Sequence, residues 1–197
     1  MDKNLSWKPH VEYIRQKISK ACGAIAKIRH FVGIDTLKNI YYALVNSYIR
    51  YGLTSWGNAS NETLKPLQTM INRIVRIMSF APLGRVSAKP IFEHLNILDL
   101  KQTFTLETAK FIFKEKNNLL PLSTIAHHFD RPAPSSNRLQ RRPNSTLFIP
   151  IELCSKFAKK SIQIRQIELW NDIPNAIRNS ETLNAFKKLL KHHLINH

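Results

Sequence analysis

Apolar residues at alternating three- and four-residue spacing constrain this chain more than anything else in it. Val11, Ile14, Ile18, Ala21, Ile25 and Ile28 follow one another at intervals of 3, 4, 3, 4 and 3. Only a helix places residues so spaced on one face, so this segment must be a helix with a packing seam. It is expected to start near Ser6, with Trp7 and Pro9 in its first turn, where proline costs little. Residues 37–57, LKNIYYALVNSYIRYGLTSWG, repeat the pattern with Leu37, Ile40, Tyr41, Leu44, Val45 and Tyr48. Asp35 is placed to cap this second helix, and Gly52 to take the left-handed position at its end. Trp56 and Gly57 follow, the tryptophan read as a core anchor and the glycine as a point of close backbone approach. A third helix, about 62–79, carries Leu64, Leu67, Met70, Ile71, Ile74, Val75 and Met78, with Pro66 in its first turn. Three such helices with short connections can bury their apolar faces only against one another, which predicts a compact bundle.

Ala81-Pro82-Leu83-Gly84 interrupts the periodicity and marks a candidate boundary. A short helix over 88–95 and a longer one from about 99 to 117 are expected next, the latter packing Leu100, Phe104, Phe111 and Phe113. With 5 Gly against 10 Pro and little strict alternation, the chain reads as mainly α. Short strands are expected only at 147–149 and 161–164. Trp170 and Pro174, in LWNDIP, are expected to fix the chain before a last helix. That helix is capped by Ser180 and has Leu183, Phe186, Leu189, Leu190, His193 and Leu194 as its apolar set.

Charge narrows the partners. The chain has 30 Lys and Arg against 13 Asp and Glu, a formal net charge of +17. Such an excess attracts polyanions, nucleic acid before an acidic membrane surface. Lys17, Lys20 and Lys27 form a stripe beside the first seam, and Arg73 and Arg76 point away from the third. Residues 131–165 hold eight basic side chains, Arg131, Arg138, Arg141, Arg142, Lys156, Lys159, Lys160 and Arg165, opposed only by Glu152. The plain reading of such cations is solvated surface, and of 131–150 a polar linker. The sharper one is a phosphate grip, because guanidinium matches phosphate bidentately.

Other chemistries find little support. Cys22 and Cys154 form no CxxC or Cys–His pattern suited to zinc, and Cys22 falls on the apolar side of its helix. Adjacent His127 and His128 diverge on a helix, and Asp130 still leaves a metal site short of ligands. No cofactor is implied. No apolar run suggests a signal peptide or a membrane span, so an intracellular, soluble protein is expected, with no membrane partner. A nuclease would need an acidic cluster that the sequence does not offer.

The segments also have a familiar order. DKNLSWKPHVEYI, ISKACGAIAKIRHF, YGLTSWGN, LKPLQTMINRIVRIM and PIFEHLNILDL come first. A proline-rich basic segment and LWNDIPNAIRNSETLNAFKKLLKHHL complete the series. It resembles the C-terminal part of the reverse transcriptase of a non-LTR (LINE-like) retrotransposon, from the thumb helices onward. The resemblance implies a thumb-like bundle over 1–80 and connecting helices over 85–130. It further implies a basic linker over 131–150 and a small module over 151–197 with one or two short strands. It implies RNA, DNA or their hybrid as partner, held through phosphates, with Trp7, Tyr51, Gly52, Trp56, Gly57, Trp170 and Pro174 as structural anchors. Such a polymerase holds its metal ions on paired aspartates. The five Asp here (Asp2, Asp35, Asp99, Asp130, Asp172) never adjoin another acid. The match starts just past the catalytic palm, so the catalytic residues are expected upstream of Met1 and none is expected in this chain. The competing expectation is a structural or protein-interaction helical domain with no nucleic-acid role.

Overall fold

A computed structural model describes residues 7–82, 87–117, 119–120 and 162–196, and these are mainly helical, with no strand among them. They divide into two compact units, Met1–Phe104 with Leu194–His197, and Thr105–His193.

The first unit is built on α1 (Lys8–Ile28), α2 (Ile34–Tyr41), a π-helical turn (Tyr42–Asn46), α3 (Ser47–Arg50), α4 (Leu53–Trp56) and α5 (Asn61–Met78). α1 begins behind Trp7 with Pro9 in its first turn, as its sequence requires. It buries Val11, Ile14, Ile18, Ala21, Cys22 and Ile25. α1 and α5 run side by side in the same direction: at their C-terminal ends the Arg29 guanidinium donates to the Ile77 carbonyl at 3.2 Å. The α2–α3 segment packs against α1. Its buried apolar side chains are Leu37, Tyr41, Val45 and Ile49, followed by Leu53. Each such burial contributes roughly 1.5–3 kcal/mol.

That segment departs from the expected face. Leu44 is 43% exposed and Tyr48 39%. The buried residues recur every four positions, and on a 3.6-residue helix a four-residue step drifts by about 40°. The wider π turn takes up the drift, keeping Val45 and Ile49 inward while Leu44 and Tyr48 turn out. Asp35 is not the cap either; Gly33 holds that position and Asp35 lies in the first turn. Gly52 does adopt the left-handed conformation, at φ 60°, which a Cβ disfavours. Pro66 falls past the first turn of α5. It lies on the exposed face, where the Glu62 carbonyl left without its helical donor can be hydrated.

The unit continues beyond the 81–84 interruption. α6 (Lys89–Leu95) packs on α5, and Phe92, Leu95, Ile97 and Leu98 are buried. α7 (Leu100–Lys116) opens with a reciprocal cap, the Gln102 amide donating to Asp99 Oδ1 at 2.7 Å and the Asp99 amide to Gln102 Oε1 at 3.0 Å. The Leu100 amide donates to Gln68 Oε1 on α5 at 3.0 Å.

The second unit takes the rest of α7 with α8 (Ile162–Asn171), α9 (Asn175–Arg178) and, as far as His193, α10 (Leu183–Asn196). Phe113 stacks on Phe186 at 4.5 Å between ring centroids, with Trp170 against the same ring at 5.9 Å. Residues 162–164 open α8 and are not a strand, because the alternating Ile162 and Ile164 run into a helical repeat at Ile167 and Trp170. The other strand expectation, 147–149, lies outside the described residues, as does Cys154. Thr182, not Ser180, caps α10: its hydroxyl accepts from the Ala185 amide at 3.2 Å, while Ser180 donates to the Ile177 carbonyl. Leu189 is 49% exposed, off the buried Phe186 and Leu190 face.

Candidate nucleic-acid interface

Helix geometry sorts the cations of the first unit. Lys20 and Lys27 are exposed on the side of α1 opposite its buried stripe, while Lys17 sits at the flank, half-buried. The Lys17 ammonium lies 5.2 Å from the centre of the Tyr13 ring. On α5, Arg73 is exposed and Arg76 is half-buried. Arg73 reaches the α1 side of its helix, close enough for its charge to act on Cys22. Burial pushes that thiol up and Arg73 offsets part of the rise. Lys20 and Lys27 therefore do not share a seam with Arg73.

A second distinction matters more than direction. Several cations are matched to acids on their own helices: Arg15 with Glu12 at 2.7 Å, Lys110 with Glu107 at 2.8 Å, and Arg165 with Glu168 at 3.2 Å. Lys20, Lys27 and Arg73 have no such partner among the described residues. An ammonium or guanidinium with no carboxylate beside it is available to a phosphate oxygen without first breaking an ion pair. Arg165 is thus already engaged. Arg138, Arg141, Arg142, Lys156, Lys159 and Lys160 lie outside the described residues, as do His127, His128 and Asp130.

The anchors separate into two kinds. Trp56 and Trp170 are core, 1% and 2% exposed, and the Trp56 indole N–H donates to the Tyr51 carbonyl at 2.9 Å. Tyr51 itself is no packing anchor, because its ring is 79% exposed and only its backbone holds Trp56. Gly57 meets the Phe104 ring, not Trp56: a Cβ there would lie 2.3 Å from Phe104 Cδ2 and 2.7 Å from the Leu53 carbonyl oxygen. Trp7 sits edge-on to His10 at 5.9 Å, and Pro174 is exposed at the start of α9.

Two features escape a reading along the chain. The Arg29 guanidinium lies 4.7 Å from the centre of the Phe80 ring, a residue held at φ 55°. Across the bundle, His10, Tyr13 and Ile14 of α1 meet Ser47 and Tyr48 of α3 and the following Tyr51 around an open cavity of about 360 Å³. The one signal for it in the sequence is compositional: all five tyrosines fall between residues 13 and 51. Among the described residues no group of three His, Cys, Asp or Glu could hold a metal ion, and no helix is long and apolar enough to cross a membrane. Comparison with protein families, with curated proteins and with solved structures finds no match.

Proposed function

We propose that this chain is a nucleic-acid-binding, C-terminal fragment of a retrotransposon RNA-directed DNA polymerase. It holds template and primer through phosphates, and the polymerase chemistry belongs to a palm outside this sequence. The reading is supported by the order of the sequence segments. The observation that carries it furthest is the display of Lys20, Lys27 and Arg73 without acid partners on helices whose other faces are firmly packed. A packed bundle fixes the backbone that carries these side chains, so Lys20 and Lys27 can meet phosphates along one face of α1 and Arg73 adds a contact from a separate face, with no backbone ordering left to be done on binding. Recognition of this kind is indifferent to base sequence and weakens steeply with salt.

The test is a salt titration of the chain on an RNA–DNA hybrid, beside single-stranded RNA and duplex DNA. A linear fall of log affinity with log salt is expected, and the ranking of ligands identifies the one that is held. Replacing Lys20, Lys27 and Arg73 with Ala lowers the duplex slope by up to about 0.9 for each phosphate no longer neutralised. Replacing Arg138, Arg141 and Arg142 weakens binding and flattens the slope in the same way, unless that segment is only a linker. Absence of binding to all three ligands at moderate salt sinks the proposal.

One observation favours the competing structural or protein-interaction role. Ile34, Tyr42 and Leu44 are 39%, 39% and 43% exposed on the α2 and π-turn segment, an apolar surface suited to another protein. A chain that binds no nucleic acid but associates through these residues has that role.

A further inference from the structure

We propose that the tyrosine-lined groove between α1 and α3 takes unpaired bases of a single-stranded nucleic acid, stacking them on Tyr48 and Tyr51. The inference rests on the nucleic-acid reading above and adds to it a second mode of contact, with bases in place of phosphates.

Of the five tyrosines only Tyr41 is in the core. Tyr13, Tyr48 and Tyr51 line the groove and are 53%, 39% and 79% exposed. Three aromatic rings held at the water boundary around one cavity are poor core material but good stacking platforms, since every base presents a π-face. The cavity, about 360 Å³, lies at the small end of the range that ligand sites occupy, with room for one or two flat rings. Its polar edge is sparse. The Ser47 hydroxyl is committed to the Ala43 carbonyl, so the groove offers rings for stacking rather than groups for reading a base edge.

Charge decides between a nucleic acid and an apolar protein segment. From residue 13 to residue 61 Asp35 is the only acid, against Arg15, Lys17, Lys20, Lys27, Arg29, Lys38 and Arg50. The Lys17 ammonium stands over Tyr13 at the groove's rim. Glu12, just before this span, is turned to Arg15. Aromatic faces bordered by a cation, with no carboxylate among the described residues that line the groove, suit a strand that carries a phosphate between successive bases.

The experiment measures affinity by fluorescence anisotropy for a labelled oligothymidylate and for a duplex DNA of equal length. It uses the wild-type chain, Tyr51→Ala, Tyr48→Ala and Tyr51→Phe, with helix content checked by circular dichroism. Tyr51 is so exposed that its truncation leaves the fold in place. Each Ala variant should bind the single strand about ten-fold more weakly. Duplex affinity and the salt slope should stay the same, and Tyr51→Phe should match wild type because a ring is all that stacking needs. Wild-type single-strand affinity in both Ala variants overturns the proposal, as does an equal loss on single strand and duplex. Self-association that Tyr51→Ala abolishes also overturns it, marking the groove as a protein interface. In those cases the phosphate-binding reading stands by itself. A wild-type chain that binds neither ligand removes both.

Discussion

At the residue scale, the tightest point is Gly57, and space rather than backbone freedom is what it supplies. Its φ is −67°, open to any residue, so Gly→Ala here would ordinarily stabilise by about 0.4–1 kcal/mol through the unfolded chain. The sign reverses because a Cβ would strike the Phe104 ring at 2.3 Å and the Leu53 carbonyl at 2.7 Å. That carbonyl already accepts from the Gly57 amide and cannot retreat. Gly57→Ala should therefore lose roughly 1–3 kcal/mol in urea unfolding, and a second change, Phe104→Leu, should restore part of the loss. An unchanged midpoint in the single variant would contradict this geometry. His10 shows the other kind of residue effect. Its imidazole lies edge-on to Trp7 and to Trp56, and burial lowers its pKa from the ordinary 6.5. The unfolded chain then binds this proton more readily than the folded one, so stability is full above about pH 6.5 and falls as pH drops below it. Thermal melts of wild type and His10→Gln should diverge in that direction, the variant losing less stability on acidification. Parallel melting curves would mean that His10 carries no such penalty. Neither contact is legible in the sequence, because Phe104 is 47 positions from Gly57, and Trp56 is 46 from His10.

At the element scale, α1 and α5 are directly legible, since a 3-4 repeat of branched apolar residues admits one solution. The second helix is legible as a helix but not in its phase. Leu44 and Tyr48 fit an ideal 3.6-residue face as well as Val45 does, and only the π turn excludes them. Two substitutions check this. Ile49→Ala should cost about 2–5 kcal/mol, as a buried isoleucine does, whereas Leu44→Ala should stay within about 0.5 kcal/mol of wild type. Similar losses at both positions would mean that the helix runs in the undistorted register. Caps escape the sequence for a related reason. Asp35 and Ser180 have the right chemistry, but Gly33 and Thr182 hold the positions where the chain turns into its helix. Alternation over 161–164 likewise suggests a strand, because four residues are too few to separate a period of two from the beginning of a longer repeat.

At the scale of the whole molecule, the mainly helical architecture and the cationic excess follow from composition and periodicity, while only part of the surface that uses them does. Lys20, Lys27 and Arg73 can be picked out from the helical repeat alone. That they lack acid partners on their own helices, when Arg15 and Arg165 have them, is legible too: Glu12 and Glu168 lie three residues from their arginines, and no acid lies three or four residues from the other three cations. The tyrosine groove is harder, because it exists only where α1 passes α3. Its origin lies in the π turn. One extra residue in a helix rotates everything after it by about 100° relative to everything before. Tyr48 and Tyr51 both come after. The turn therefore works as a vernier between the two halves of the α2–α3 segment, setting which side chains the bundle hides and which it displays. In a lineage of such chains, gain or loss of a single codon between residues 42 and 46 is enough to open or close that groove, with every residue that lines it unchanged.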